Sequence, residues 1–198
     1  MREVELKEVL DAWDVRRARV ERAGAALTFA GRLEDRRYDT PDRQLLSRDE
    51  VLRLRTYLDA RGGRCELAWK GPTGIEGGFK VREELHCAVG DPRTLAAMLE
   101  HLGYVVTLAI DRTIAQFDLG GAIVRFERYP RMDDLVEVEG TPEAIEHGIA
   151  ATGIARGRFT AEALPAFVER FESRTGQRAV LSDSADAVVL TQSLRDAR

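Results

Sequence analysis

The chain has 198 residues, 44% hydrophobic and 32% charged, enough for one domain with a sizeable core. Its net charge of -4 excludes the broad basic surface that nucleic acid or an anionic membrane would need, so any anion site must be local. No apolar run reaches the roughly 18 residues needed to cross a bilayer, and the charged Met1–Lys7 segment reads as structure rather than a signal peptide, which points to a cytoplasmic protein.

In chain order, Val4 and Leu6 alternate with Glu3, Glu5 and Lys7, which predicts a strand. A helix is expected over Asp14–Ala23, stopped by Gly24. A strand over Leu27–Tyr38 leads into a turn at Asp39-Thr40-Pro41-Asp42. Val51–Leu58 and Cys65–Lys70 read as strands joined through Arg61-Gly62-Gly63. Gly71–Gly78 reads as a loop and Phe79–Cys87 as the next strand. Asp91 followed by Pro92 opens a helix to Leu102, with Gly103 as its stop. Tyr104–Leu119 is β-rich, and Gly120-Gly121 turns the chain back into strands over Ala122–Arg128 and Leu135–Glu139. Thr141-Pro142 opens a short helix ending near Gly153. The segment Ala161–Thr175 is amphipathic, with Leu164, Phe167, Val168 and Phe171 on one side and Pro165 marking its start. That apolar stripe would either pair two copies or plug a barrel end, so monomer and homodimer are both open; the tail after Ser182 is expected to be loose. Few helices, short strands and no βαβ alternation predict an α+β, mainly β fold: an antiparallel eight-stranded barrel, closed or nearly closed, with flanking helices.

Cys65 and Cys87 stand alone on strand-like segments and read as reduced thiols, and His86, His101 and His147 lack metal-ligand spacing. Lysine occurs only at Lys7, Lys70 and Lys80 among 30 basic residues; where arginine is the default, a retained lysine suggests a position wanting a compact point charge.

Side chains alternate across a strand, so each strand can be sorted by parity. Glu3, Glu5 and Lys7 share one face. Arg53 and Arg55 oppose Leu52 and Leu54; Glu66 and Lys70 oppose Cys65, Leu67 and Trp69. Lys80, Arg82 and Glu84 oppose Phe79, Val81 and Leu85. Arg125 and Glu127 oppose Val124 and Phe126, and Glu137 and Glu139 oppose Val136 and Val138. Arg112 shares parity with Leu108 and Ile110. A solvated sheet face commonly alternates this way. These faces, however, carry almost no Ser, Thr, Asn or Gln, and the charges segregate by strand, whereas solubilising surfaces intersperse signs. The sharper alternative is a barrel interior. Burying unpaired charge costs several kcal/mol per ion, so such an interior must be wet, cross-paired or filled by a charged ligand. Carboxylates suit Mg2+ or Mn2+, and a ring of Arg and Lys suits phosphate oxygens.

These residues, in this order, resemble the CYTH superfamily of triphosphate tunnel metalloenzymes. Glu3-Val4-Glu5-Leu6-Lys7 is similar to its Glu-x-Glu-x-Lys signature, and Tyr38-Asp39-Thr40-Pro41 to its Phe-Asp-Thr segment. Leu52-Arg53-Leu54-Arg55, Leu67 to Pro72 and Lys80 to Glu84 resemble its Leu-Arg-x-Arg, Trp-Lys-Gly-Pro and Arg-x-Glu strands. Phe126-Glu127 and Val136 to Glu139 resemble its late carboxylates. The likeness covers residues 1–155 and leaves 156–198 as a helical extension packing on the barrel.

The resemblance implies roles. Glu3, Glu5, Glu127, Glu137 and Glu139 would hold Mg2+ or Mn2+, and Lys7, Arg53, Arg55, Lys70, Lys80, Arg82, Arg112 and Arg125 would grip the triphosphate. Lys7, Glu5 and Glu139 would stand at the reacting centre, with Glu84 pairing with and orienting a base or sitting near a metal. Two positions depart from the pattern: residue 127 is Glu where the family more often has Asp, and Ile110 stands where the family adds a lysine before Arg112. The implied partner is a small-molecule triphosphate, with no nucleic acid or membrane. The implied reaction is hydrolysis of tripolyphosphate, thiamine triphosphate or a nucleotide. The alternatives are class IV adenylate cyclase chemistry, giving cyclic AMP and pyrophosphate from ATP, and a non-catalytic polyphosphate binder.

Overall fold

The computed structural model describes residues 2–184; the tail expected to be loose lies, from residue 185 on, outside the described residues. The described residues form nine strands and five α-helices in the order β1 (Arg2–Val9), α1 (Trp13–Arg22), β2 (Ala26–Asp39), α2 (Gln44–Ser47), β3 (Val51–Asp59), β4 (Gly62–Lys70), β5 (Gly74–Glu76), β6 (Phe79–Val89), α3 (Pro92–His101), β7 (Val105–Leu119), β8 (Ala122–Arg128), β9 (Leu135–Glu139), α4 (Pro142–Thr152) and α5 (Leu164–Thr175). Eight of the strands close an antiparallel barrel in the order β1-β9-β8-β7-β2-β3-β4-β6. The short β5 extends the β4 edge against the start of β6.

Closure depends on β1. Its first half pairs with β6, Glu3 opposite Arg82 and Glu5 opposite Lys80. Its second half pairs with β9, Glu5 opposite Glu139 and Lys7 opposite Glu137. Directly opposed residues in a pleated sheet share a face, so this register turns the charged side of three strands inward together.

The apolar sides face outward, and helices cover much of that surface. α4 lies on β8, β9 and β1, where Ile145 and Ile149 join Leu6, Phe117, Val124, Phe126 and Val138 in the largest core cluster. Its close approach is set by Gly148: a Cβ there would stand 2.8 Å from Val138 Cγ1. The stop signals work as expected here. Thr141 accepts from Ala144 N, Pro142 opens the helix, and Gly153 ends it with φ 68°. Asp91 caps α3 in the same way, and Leu99 from α3 packs against Tyr38, Leu54 and Cys65. The apolar stripe of α5 is spoken for: Phe167 and Phe171 pack on Ile110, Tyr129, Met132 and Leu135 at one end of the barrel. The stripe therefore plugs the barrel rather than standing open for a second copy.

Several boundaries differ from the sequence expectation. α1 starts and ends one residue earlier, and β6 runs on to Val89. The expected loop over Gly71–Gly78 contains β5. The turn at residues 39–42 leads into the unforeseen α2, because the buried Asp39 carboxylate accepts from the backbone N–H of Thr40, Leu45 and Leu46. Residues 161–163 precede α5 rather than belonging to it, as Pro165 implied. Both cysteines are free, Cys65 buried and Cys87 exposed. No helix of the described residues is long and apolar enough to cross a membrane.

Candidate functional site

The barrel interior holds a cavity of about 250 Å3. All fourteen site residues expected from the sequence line it, including Arg112 and Glu84. The parity question at Arg112 resolves simply: Ile110 also points inward, but into the end that α5 plugs.

The charge is laid out in two walls. β1 and β9 are neighbours and carry Glu3, Glu5, Glu137 and Glu139. In the eight-strand ring, β2 and β3 stand opposite and carry Arg37, Arg53 and Arg55 around a single carboxylate, Asp35. In all, nine basic and eight acidic side chains line the cavity, so its lining is close to neutral.

Most of these charges are cross-paired. On the acidic wall, Glu5 meets Lys7 at 2.8 Å and Lys80 at 2.6 Å. Glu137 bonds Lys7 and Arg125, and Lys70 donates to both oxygens of Glu3 at 2.5 and 2.6 Å. Burial lowers Lys80, with Lys7 adding to it, while Glu5 pulls the other way. On the basic wall, Arg55 forks onto Asp35 at 2.7 and 2.9 Å, and Arg112 bridges Asp35 at 3.0 Å and Glu127 at 2.8 Å. Burial opposes ionisation of Asp35, yet Arg55, Arg53 and Arg112 hold its carboxyl well below the usual range. Burial likewise opposes ionisation of Glu127, while Arg112, Arg125 and Lys7 hold it near 2 and Tyr129 donates to it at 2.7 Å. Glu84 lies 3.4 Å from both Arg53 and Lys70. Arg82 behaves differently: it lines the rim but spends its guanidinium on the Gly71 carbonyl at 2.5 Å and on the Asp49 carbonyl.

Glu139 is the exception among the acids. Its nearest base is Arg125 at 3.9 Å. Burial raises its carboxyl to about 7; Arg125 counters, and Glu137, Glu3 and Glu5 push it up further. A carboxylate short of positive charge beside three others is a place that a divalent cation would satisfy, and hard oxygen donors fit Mg2+ or Mn2+. Among the described residues no three such groups already converge as a finished metal cage.

Sequence reasoning missed Asp35, Arg37, Tyr57 and Tyr129, all of which line the cavity. Strand β2 carries charge on both faces here, Glu34 and Arg36 outward beside Asp35 and Arg37 inward, so parity offered no contrast. The usable signal was register: Asp35 is opposite Arg55 and Arg37 opposite Arg53.

A closed antiparallel barrel with opposed acidic and basic inner walls is the architecture of a triphosphate tunnel. The CYTH domain family matches residues 1–152, and the chain belongs to that family. Membership associates it with triphosphate-hydrolysing or cyclase-like chemistry. Solved structures share the fold. The PH1819 protein of Pyrococcus horikoshii is 23% identical with a TM-score of 0.71, covering 85% of this chain and 99% of its own. A putative adenylate cyclase from Vibrio parahaemolyticus is 19% identical with a TM-score of 0.72, covering 84% and 97%. A putative adenylyl cyclase from Hippeastrum, described as having a dominant triphosphatase activity, is 18% identical with a TM-score of 0.60, covering 91% and 99%. No curated protein is similar enough to count as a relative.

Proposed function

We propose that this protein is a divalent-metal-dependent phosphohydrolase acting on the triphosphate group of an inorganic or organic triphosphate. The observation that carries the reading is the pair of opposed walls in one cavity, carboxylates on β1 and β9 and guanidiniums on β2 and β3. A pure anion binder gains nothing from eight acids beside its bases unless cations enter with the anion. The near-neutral interior makes the same point: a triphosphate brings several negative charges that nine bases, mostly committed to acids, do not balance.

Glu139, with Glu3, Glu5 and Glu137 beside it, would hold Mg2+ or Mn2+, while Glu127 is taken up by Arg112 and Tyr129. A bound divalent cation supplies charge neutralisation and polarisation at the phosphoryl oxygens. The remaining work falls to the chain's own side chains. Arg55 and Arg112 are held in fixed orientation by Asp35 and Glu127, so their outer N–H donors are set before substrate arrives. Lys7 and Lys80 carry compact positive charge beside Glu5, between the acidic wall and the phosphate chain. Leu164 and Pro165 of the α5 plug line the cavity and close that end with apolar side chains.

Hydrolysis is favoured over cyclisation because water needs no nucleoside pocket, and the Hippeastrum relative is described as a dominant triphosphatase. The test is to incubate the protein with tripolyphosphate, thiamine triphosphate and ATP, each with Mg2+ or Mn2+ and each with chelator. Metal-dependent phosphate release supports the hydrolase. Cyclic AMP and pyrophosphate from ATP would replace it with a cyclase, and tight binding without turnover would reduce the protein to a polyphosphate binder.

A further inference from the structure

Among the described residues, every inward-facing base but one has a carboxylate or carbonyl partner. The exception is Arg37, on the basic wall. It makes no ion pair, and its Nε is sealed from water without an acceptor. Its opposite number across the β2–β3 pair is Arg53, 6% exposed, whose Nε also lacks an acceptor. Arg53 reaches acids only at long range, Glu84 at 3.4 Å and Asp35 at 3.8 Å. Four guanidiniums, from Arg37, Arg53, Arg55 and Arg112, thus act on one carboxylate, Asp35. Buried donors without acceptors are rare and costly, and two adjacent ones of like charge do nothing to hold the fold. Burial brings the Arg37 guanidinium down to about 10, with Arg53, Arg112 and Arg55 adding to it against the pull of Asp35. An anion at this point would reverse each of those costs at once.

The position is also informative. Arg37 borders both the main cavity and a second one of about 90 Å3, which Asp39, Val51 and Thr107 also line. It stands at the end that α5 closes, opposite Leu108 of the α5 cluster, and across the ring from the acids of β1 and β9.

We infer that Arg37 and Arg53 form an anion subsite at the α5 end of the basic wall, taking the substrate phosphoryl group that lies farthest from the β1–β9 carboxylates. This rests on the triphosphate reading for the identity of the anion, and makes Arg37 a binding residue of that site. The two free Nε–H donors supply charge-assisted hydrogen bonds to that phosphoryl group. Arg37 is then a residue that costs stability when the site is empty and returns binding when it is filled.

The test uses the full chain, with Arg37→Met to keep the side-chain length without charge and Arg37→Lys to keep the charge without the fork. Without ligand, Arg37→Met should melt at or above wild type, because it removes a half-buried cation that has no acid partner and a buried Nε without an acceptor. Tripolyphosphate should raise its Tm less than it raises wild type's, and the Kd from calorimetry should weaken by about tenfold or more. KM for tripolyphosphate should rise by a similar factor with kcat within about twofold, and Arg37→Lys should recover part of the loss. A lower Tm with unchanged Kd and KM would overturn the subsite and make Arg37 structural. Absent wild-type turnover with Arg37-dependent binding would sink the hydrolase reading and leave the subsite standing. Turnover with Arg37-independent Kd and KM would sink the subsite alone. A wild type that does not bind tripolyphosphate would overturn both.

Discussion

Glu139→Gln isolates the least satisfied acid of the interior. The Glu139 side chain is 26% exposed, and its carboxyl is raised from 4.5 to about 7 by burial and, against Arg125, by Glu137, Glu3 and Glu5. Between those two values the folded protein binds more protons than the unfolded chain, so this group makes stability fall as pH rises. The contribution is absent below the unfolded value, grows through the window, and levels off above 7. At about 1.4 kcal/mol per pH unit it amounts to under about 1 kcal/mol at pH 5 and about 3 kcal/mol at pH 8. Gln keeps the shape and removes the titration. With chelator present, Glu139→Gln should match wild type near pH 4.5 and melt about 6–12 °C higher at pH 8. Other titrating groups, such as Asp35 and Glu127, are shared by both proteins and cancel in the difference. Adding Mg2+ at pH 8 should then stabilise wild type and do little for the variant. Thermal unfolding followed by circular dichroism reads all of this. A variant that is less stable than wild type at pH 8, or a difference that does not change with pH, would refute the reasoning.

Three other outcomes are expected. Asp35→Ala should cost about 3–5 kcal/mol by urea unfolding, because it strands Arg55 and Arg112 without their shared carboxylate. A cost under about 1 kcal/mol would mean that the basic wall is solvated rather than cross-paired. Arg55→Ala and Lys70→Ala should mainly raise KM for the triphosphate in a phosphate-release assay; unchanged KM in both would take the basic side chains out of substrate binding. Glu5→Gln should abolish turnover while far-UV circular dichroism stays that of wild type, and normal activity would overturn the metal assignment on β1.

Much of the barrel was legible because its strands are chemically two-sided. On β1, β3, β4, β6, β8 and β9 the charged residues face in and the apolar ones face out, mostly under helices but exposed at Leu85, so parity separated the two sides. What parity could not decide was whether the charged side was water or interior, since both produce the same alternation. Closure decides it, and closure is a long-range property: β1 pairs with β6 and β9, about 78 and about 130 positions away. Strand β2 was illegible for the opposite reason. Arg32, Glu34 and Arg36 are charged on its outer side, where Arg36 bonds the buried Asp111 at 2.6 Å, so no contrast separated the faces. The α5 stripe was visible, but not its destination on Ile110 and Tyr129, because neither of those residues announces a barrel end.

The placement of β1 has a consequence for assembly. It comes before both of its partners in the chain, yet it fits only the gap between β6 and β9. Its pairing with β6 can form earlier, but its pairing with β9 must wait until Glu139 has left the ribosome. Without β1 the other seven strands of the ring would have two open edges, and the basic wall would lack the acids of β1. Seating β1 is therefore a high-contact-order step that closes the ring and desolvates the ion pairs in one event. Folding rate should accordingly depend on salt and on substitutions in β1 far more than on substitutions in the β2–β3 hairpin, which can pair early through local contacts.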